Sequence, residues 1–257
     1  VGWDSPLSSG QTIGTGEGPK LDVVVDPIDG RRLLAQGRAG AIAVAGAAPY
    51  GSMWSGAPAV YMEKIVVSRE AAHALVPECM DAPAAWTLAL VAREKEKRVE
   101  DLTVFVLERT RHAELVEEIR KAGARVMLRT DGDIAGAVMA ASSEGHVDVL
   151  MGIGGVPQGV IAACAVKSMG GAMLGRLRPQ RDREKEEIEQ AGLDTHEIMD
   201  CDRLVSGDQI YFAITGITDG PILHGVHYHG NKAETNSLIL RCETGTRRTI
   251  FADHLLE

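Results

Sequence analysis

The chain has 257 residues, 45% hydrophobic and 25% charged, which describes an ordinary globule with room for one large or two modest domains and a substantial core. A formal net charge of -9 argues against nucleic acid or an anionic membrane as the main partner. No apolar run reaches the length of a membrane span, no signal peptide is visible at the start, and the dispersed Cys79, Cys164, Cys201 and Cys242 read as reduced thiols of a cytoplasmic protein.

Residues 21–26 predict an apolar strand, the small-residue run 39–47 a second and residues 64–67 a third, separated by Gly/Pro-rich turns. Residues 71–90 have mixed periodicity and predict only short helical pieces. The charge-dense run 93–100, REKEKRVE, reads as a solvated connector or helix end. The domain boundary is placed there, between a metal-binding mixed-sheet domain at 1–98 and an α/β substrate-binding domain at 99–257. Strand and helix then alternate: strand 103–107, amphipathic helix 111–122 ended by Gly123, strand 125–128, helix 133–141, strand 147–151 and helix 158–169. Three successive βα units predict a parallel sheet covered by helices, with ligands at the carboxyl ends of its strands. Residues 180–190 predict a charged exposed helix. Strands at 210–215, 237–242 and 246–251 close the chain, the last two as a hairpin around Glu243-Thr244-Gly245. There is no internal repeat and no low-complexity tract.

Chemistry concentrates where these elements end. The strand at 21–26 delivers Asp26 and Asp29 into a Pro27-Ile28-Asp29-Gly30 turn, an arrangement that aims two carboxylates at one point and suits a hard divalent cation, magnesium or manganese. A surface turn capped by acids is the alternative, and the preceding Val23-Val24-Val25 favours a buried strand end instead. Arg109, Arg111 and His112 follow a strand at the start of a helix, a phosphate cradle or, alternatively, a basic helix start paired with Glu108 or Glu114 in solvent. Asp131 and Asp133 flank Gly132 at another strand-to-helix junction, one of them suited to capping the helix and the other free to accept hydrogen bonds. Gly154 and Gly155 permit close approach of the backbone, and Pro157 and Gln158 open a helix. His224, His227 and His229 form an H-x2-H-x-H cluster that is either a zinc or nickel site or a set of surface histidines.

The Asp26–Gly30 stretch resembles the DPIDGT signature of the magnesium-dependent, lithium-sensitive sugar phosphatases. Five further motifs, Tyr61-Met62-Glu63-Lys64, Arg109-Thr110-Arg111-His112, Thr130-Asp131-Gly132-Asp133, Gly152-Ile153-Gly154-Gly155-Val156-Pro157-Gln158-Gly159 and Thr215-Gly216-Ile217-Thr218-Asp219-Gly220, follow in the order and spacing of class II fructose-1,6-bisphosphatases, so that the resemblance runs from about Gly14 to His254. It implies a layered α/β sugar-phosphatase fold. It also implies a cytoplasmic, homo-oligomeric enzyme of gluconeogenesis, glycerol and sugar-phosphate metabolism that hydrolyses the 1-phosphate of fructose 1,6-bisphosphate, or of sedoheptulose 1,7-bisphosphate, with Mn2+ or Mg2+. Asp26 and Asp29 would hold the metal, joined by the residue at Gln158; Asp29, Gly30, Arg31, Tyr61, Arg109, Thr110, Arg111, Asp131, Gly132, Asp133 and Gly155 would contact the substrate.

Three departures from the family pattern bear on catalysis. Gln158 stands where the family has a metal-binding glutamate, and a neutral amide ligates without charge and cannot act as a base. Arg31 replaces a threonine that helps activate water; a guanidinium has no such proton chemistry, and either pairs with Asp26, Asp29 or a substrate phosphate or points into solvent. The upstream Asp and Glu-Gly-Glu stretch that complete a binuclear site find no match, and Val1 to Pro6, with Asp4 as its acid, does not supply them. Two readings follow: a metal-dependent sugar bisphosphatase with Asp26, Asp29, Arg31 and Gln158 at its catalytic position, or a degenerate homologue that binds sugar phosphates or an active partner subunit without turnover.

Overall fold

The structure is a computed structural model that describes residues 10–256; the reading of Val1 to Pro6 falls outside them. The chain runs β1 (Leu21–Asp29), α1 (Arg31–Ala35), β2 (Ile42–Pro49), β3 (Tyr61–Val67), α2 (Ala84–Glu94), β4 (Thr103–Leu107), α3 (Ala113–Lys121), β5 (Arg125–Arg129), α4 (Asp133–Ala141), β6 (Val149–Gly155), α5 (Val156–Ser168), β7 (Ala172–Leu177), α6 (Asp182–Gln190), β8 (Met199–Asp200), α7 (Cys201–Leu204), β9 (Tyr211–Gly216), β10 (His227–His229), β11 (Lys232–Arg241) and β12 (Thr246–Leu255).

These elements form two sheets. The first is antiparallel, in the order β1-β2-β9-β11-β10, with β12 on the other edge of β11. The second runs β5-β4-β6-β3-β7-β8. Its strands β4, β5 and β6 are parallel, as three βα units require, but β3, β7 and β8 join antiparallel, which corrects the expectation of a parallel sheet. Sheet membership does not divide at residue 98: β3 belongs to the second sheet, and β9 to β12 return to the first. The reason is burial. Ile65, Val66 and Val67 are buried in succession, so β3 needs cover on both faces and takes a central place.

Helices α4 and α5 fill the space between the sheets. Every residue of α4 is buried, as its all-round apolar sequence DIAGAVMAA demands, and α5 packs against strands of both sheets. On the far side of the second sheet, Leu88 and Val91 of α2 and Val116 and Ile119 of α3 cover Val104, Val106, Val149 and Met151. The outer face of the first sheet stays exposed at Leu21, Val23, Val25 and Tyr211.

Two charged segments are less solvated than their composition suggests. In the 93–100 run the Lys95 side chain is only 7% exposed and pairs with buried Asp148 at 2.9 Å, and Lys97 pairs with the same carboxylate at 2.6 Å. In α6, Glu184 and Ile188 are buried, so this helix is amphipathic rather than wholly exposed. Helix α2 is also longer than short helical pieces, because Ala84, Thr87, Leu88 and Val91 make one buried stripe.

Candidate active site

Asp29 follows Asp26 by three positions, a spacing that in a regular strand would send the two side chains to opposite faces. The register between β1 and β2 shifts between these residues, so that Asp26 lies opposite Val44 and Asp29 opposite Ile42. One extra residue is thus accommodated, and both carboxylates turn inward, each 5% exposed. Gly30 follows at φ 92, a left-handed conformation suited to glycine, and starts α1.

Each carboxylate has a distinct set of partners. Asp26 accepts from the Ile28 N–H at 3.2 Å and from the Gln158 amide at 3.0 Å, and the Arg31 guanidinium stands 3.9 Å away. Asp29 accepts one hydrogen bond, from the Ala135 N–H in the first turn of α4, at 3.1 Å. Burial pushes its carboxyl up to about 8; the Ala135 N–H works against this, and neighbouring Asp133, Asp26 and Asp131 reinforce it. Among the described residues Asp29 has no ion-pair partner, whereas Asp133 has Lys64, Asp131 has Arg109 and Asp26 has Arg31.

This donor set fits one divalent cation. Two converging carboxylates, one of them without a countercharge, are what such an ion requires when substrate phosphate and water complete its shell. Among the described residues no group of three acidic, histidine or cysteine side chains gathers around a common point. Gln158, expected as a further ligand, is turned with its N–H toward Asp26, and its oxygen lies over Gly155, where a Cβ would collide with it. Arg31 resolves between its two alternatives: its side chain is 67% exposed yet remains within reach of Asp26.

The basic motif follows β4, between Leu107 and α3. The Arg111 guanidinium stacks 5.0 Å above the Tyr61 ring and donates to the Ile153 carbonyl at 2.8 Å. Its Nε is buried with no hydrogen-bond partner among the described residues, a donor left for an anionic ligand. Burial holds the Arg111 guanidinium below its ordinary pKa, and Arg109 adds to this, while Tyr61 and Asp133 act in the other direction. Arg109 donates to the Thr130 carbonyl at 2.7 Å, and Thr110 begins the short 3-10 turn that leads into α3. His112 does not belong to the cradle. It is 2% exposed, one ring nitrogen is 2.7 Å from the Leu107 carbonyl, and the other accepts the Ile153 N–H at 2.8 Å. Burial lowers its pKa, and the pair of backbone bonds fits the neutral ring, so His112 braces β4 against β6.

Asp131 and Asp133 sit on either side of Gly132, the residue before α4, whose φ of 94 is left-handed. Neither caps the helix. Asp131 accepts the Arg32 N–H at 3.1 Å, and Asp133 pairs with Lys64 at 2.5 Å. Lys64 is fully buried, and a Cβ at Gly154 would overlap both members of this pair, which is why glycine stands there. Sequence reasoning gave Lys64 no role. Its signal was phase: Met62, Lys64 and Val66 lie on one face of β3, all fully buried, and a charge in an apolar row needs a partner. Glu184 was also missed; it accepts the backbone N–H groups of Val60, Tyr61 and Gln180 and so anchors the start of β3 beneath Tyr61.

The histidine cluster disperses. His227 lies 3.0 Å from Asp219, His229 lies 4.0 Å from Glu234, and His224 stands 3.9 Å from Asp219. With no metal grouping among the described residues, these are surface histidines, His224 and His227 sharing Asp219 and His229 lying near Glu234.

Residues 4–254 match the protein family described as bacterial fructose-1,6-bisphosphatase, glpX-encoded. The chain is 34% identical over 249 residues to a D-fructose 1,6-bisphosphatase class 2/sedoheptulose 1,7-bisphosphatase of Synechococcus sp. (strain JA-2-3B'a(2-13)), a match covering 92% of this chain and 71% of that protein. It is also 34% identical over 264 residues to the fructose-1,6-bisphosphatase class 2 of Haemophilus influenzae, covering 98% of this chain and 78% of the relative.

Proposed function

Since the chain belongs to the bacterial, glpX-encoded fructose-1,6-bisphosphatase family, we propose that it hydrolyses the 1-phosphate of fructose 1,6-bisphosphate, and that sedoheptulose 1,7-bisphosphate is a second substrate. The observation that carries this reading is the pair of inward-turned carboxylates, Asp26 and Asp29, at the end of β1, together with the half-buried Arg111, whose Nε has no hydrogen-bond partner among the described residues. One end of the site suits a phosphoryl group being transferred and the other a phosphate being held.

The chain's own residues divide the work. Arg111, with Tyr61 beneath it and Arg109 beside it, binds the phosphate that is not cleaved and sets the register of the sugar. Asp131 and Asp133, at the start of α4, accept hydrogen bonds from sugar hydroxyls, with Gly132 leaving room for the ligand. Asp26 and Asp29 would hold Mn2+ or Mg2+, which when bound stabilises charge on the phosphoryl oxygens and makes its water more acidic. Arg31 brings positive charge to the same oxygens but exchanges no proton at neutral pH. Cleavage of the phosphorus–oxygen bond by water gives inorganic phosphate and the sugar monophosphate. The four cysteines are free, which supports a reducing, cytoplasmic setting, and among the described residues no helix is long and apolar enough to cross a membrane.

The Gln158 amide lying on Asp26 favours a second reading, in which the chain binds sugar bisphosphate without turnover. Phosphate release from fructose 1,6-bisphosphate, measured with manganese or magnesium and again with excess chelator, separates the two. Metal-dependent release that chelator abolishes is expected. Tight bisphosphate binding without release from folded protein would leave only the second reading.

A further inference from the structure

Strand β12 pairs with β11 through ten residue pairs in unbroken register, from Lys232 opposite Leu255 to Arg241 opposite Thr246. Its other edge is unpaired among the described residues. Such an edge is a template for another strand, and proteins usually blunt it with a bulge, a proline, a lysine or a short length. β12, TRRTIFADHL, has no proline, lysine or shift of register and is ten residues long; the edge charges it does carry are Arg247, Arg248 and Asp253. It also carries exposed apolar side chains, Ile250 at 40%, Phe251 at 71% and Leu255 at 76%. Three of its charges, Arg247, Arg248 and Asp253, make no ion pair with any described residue. Asp253 instead lies directly opposite Glu234 on β11, a like-charge placement that costs stability.

We propose that β12 is the docking edge for a second copy of this chain, the two strands pairing antiparallel about a two-fold axis through Ile250 so that the first sheets of both copies become continuous. The charges select this register. A two-fold axis normal to the sheet keeps like face against like face, so it passes through a residue rather than between two. Through Ile250, it sets Arg247 opposite Asp253 of the partner subunit, twice by symmetry, and gives each Asp253 the cation it lacks among the described residues of its own chain. Thr249 then faces Phe251 of the partner subunit, and Ile250 faces Ile250 of the partner subunit, both favourable cross-strand neighbours. With the axis at Phe251, Arg248 meets His254 of the partner subunit, and with the axis at Thr249, Arg247 meets Phe251 of the partner subunit; neither places opposite charges together. Main-chain hydrogen bonds supply the attraction and the paired charges supply the selectivity, as in other strand-addition interfaces.

Sedimentation velocity over a concentration series, with circular dichroism to confirm folding, tests this on the full chain. The unaltered protein should show a dimer, or a larger assembly built from one, that dissociates on dilution. Arg247→Glu and Asp253→Arg should each raise the dissociation constant about tenfold or more, because each sets like charges opposite one another at two symmetric places. Combined, the two substitutions restore opposite charges and should restore association. All substituted side chains are exposed, so the fold should be kept. A monomer at every concentration would overturn the proposal, as would an assembly indifferent to the single reversals or singles that the double variant fails to rescue.

Discussion

A lysine ammonium without solvent exposure requires a countercharge, and Lys64 meets Asp133 at 2.5 Å. Removing one member of such a pair strands the other, so Lys64→Met should lower unfolding free energy by about 3–5 kcal/mol, whereas Lys64→Met with Asp133→Leu should lose less. Urea unfolding of the two variants measures the difference, and equal losses would show that the pairing is not what stabilises this region. A second comparison concerns Gln158 and Arg31, which both lie on Asp26, the amide at 3.0 Å and the guanidinium at 3.9 Å. Gln158→Glu adds a negative ligand and Arg31→Thr removes a competing cation, so the double variant should bind manganese more tightly than the unaltered chain, with non-additive single effects. Calorimetric titration reads this independently of turnover; unchanged affinity would mean that neither residue limits the metal site. Asp26 and Asp29 were legible in the sequence because an apolar run ending in Pro-Ile-Asp-Gly is a local signal. The His112 brace was not, because its partners, Leu107 and Ile153, lie on two strands whose adjacency no local pattern records.

At the scale of elements, one buried carboxylate connects several parts of the second sheet. Asp148 precedes β6, accepts the Thr103 N–H at 2.9 Å as β4 begins, and gathers Lys95 and Lys97 from the segment after α2. Burial alone would raise its pKa, but the hydrogen bonds from Lys97, the Thr103 N–H and Lys95 outweigh this and hold it below the usual aspartate value. Its folded pKa is therefore lower than its unfolded one. The stability it contributes is fully present above pH 3.8 and is lost as pH falls through the depressed folded value. Asp148→Asn should accordingly lower the melting temperature near neutral pH and make the remaining acid loss of stability shallower, which melting curves between neutral and strongly acidic pH would detect. A parallel acid limb in the variant would exclude Asp148 as its source. The run REKEKRVE looked solvated for the same reason: composition shows four basic residues but not the buried acid, dozens of residues away, that two of them, Lys95 and Lys97, reach.

Over the whole molecule, the layering followed from recognisable patterns, while the path of the chain through it did not. The apolar character of α4 on all sides and the alternation of βα units announced helices pressed on a sheet. That β3 crosses to the second sheet and β9 returns to the first depends on pairings such as Ile42 with Gly216 and Tyr61 with Gly155, set by which buried faces fit together. The site gathers from both sheets as a result, with Asp26 and Asp29 from the first, and Tyr61, Lys64 and Arg111 from the second or its connections. Its two halves meet through α4, whose nine residues are all buried between the sheets and whose Ala135 N–H holds Asp29. A helix so enclosed has no private way to open: its amides meet solvent only when the molecule comes apart as a unit. Within a single copy β12, exposed along nearly its full length, can fray on its own. The hydrogen bond that fixes Asp29 thus lives on the slow clock of global unfolding, while the outer strand keeps a much faster one.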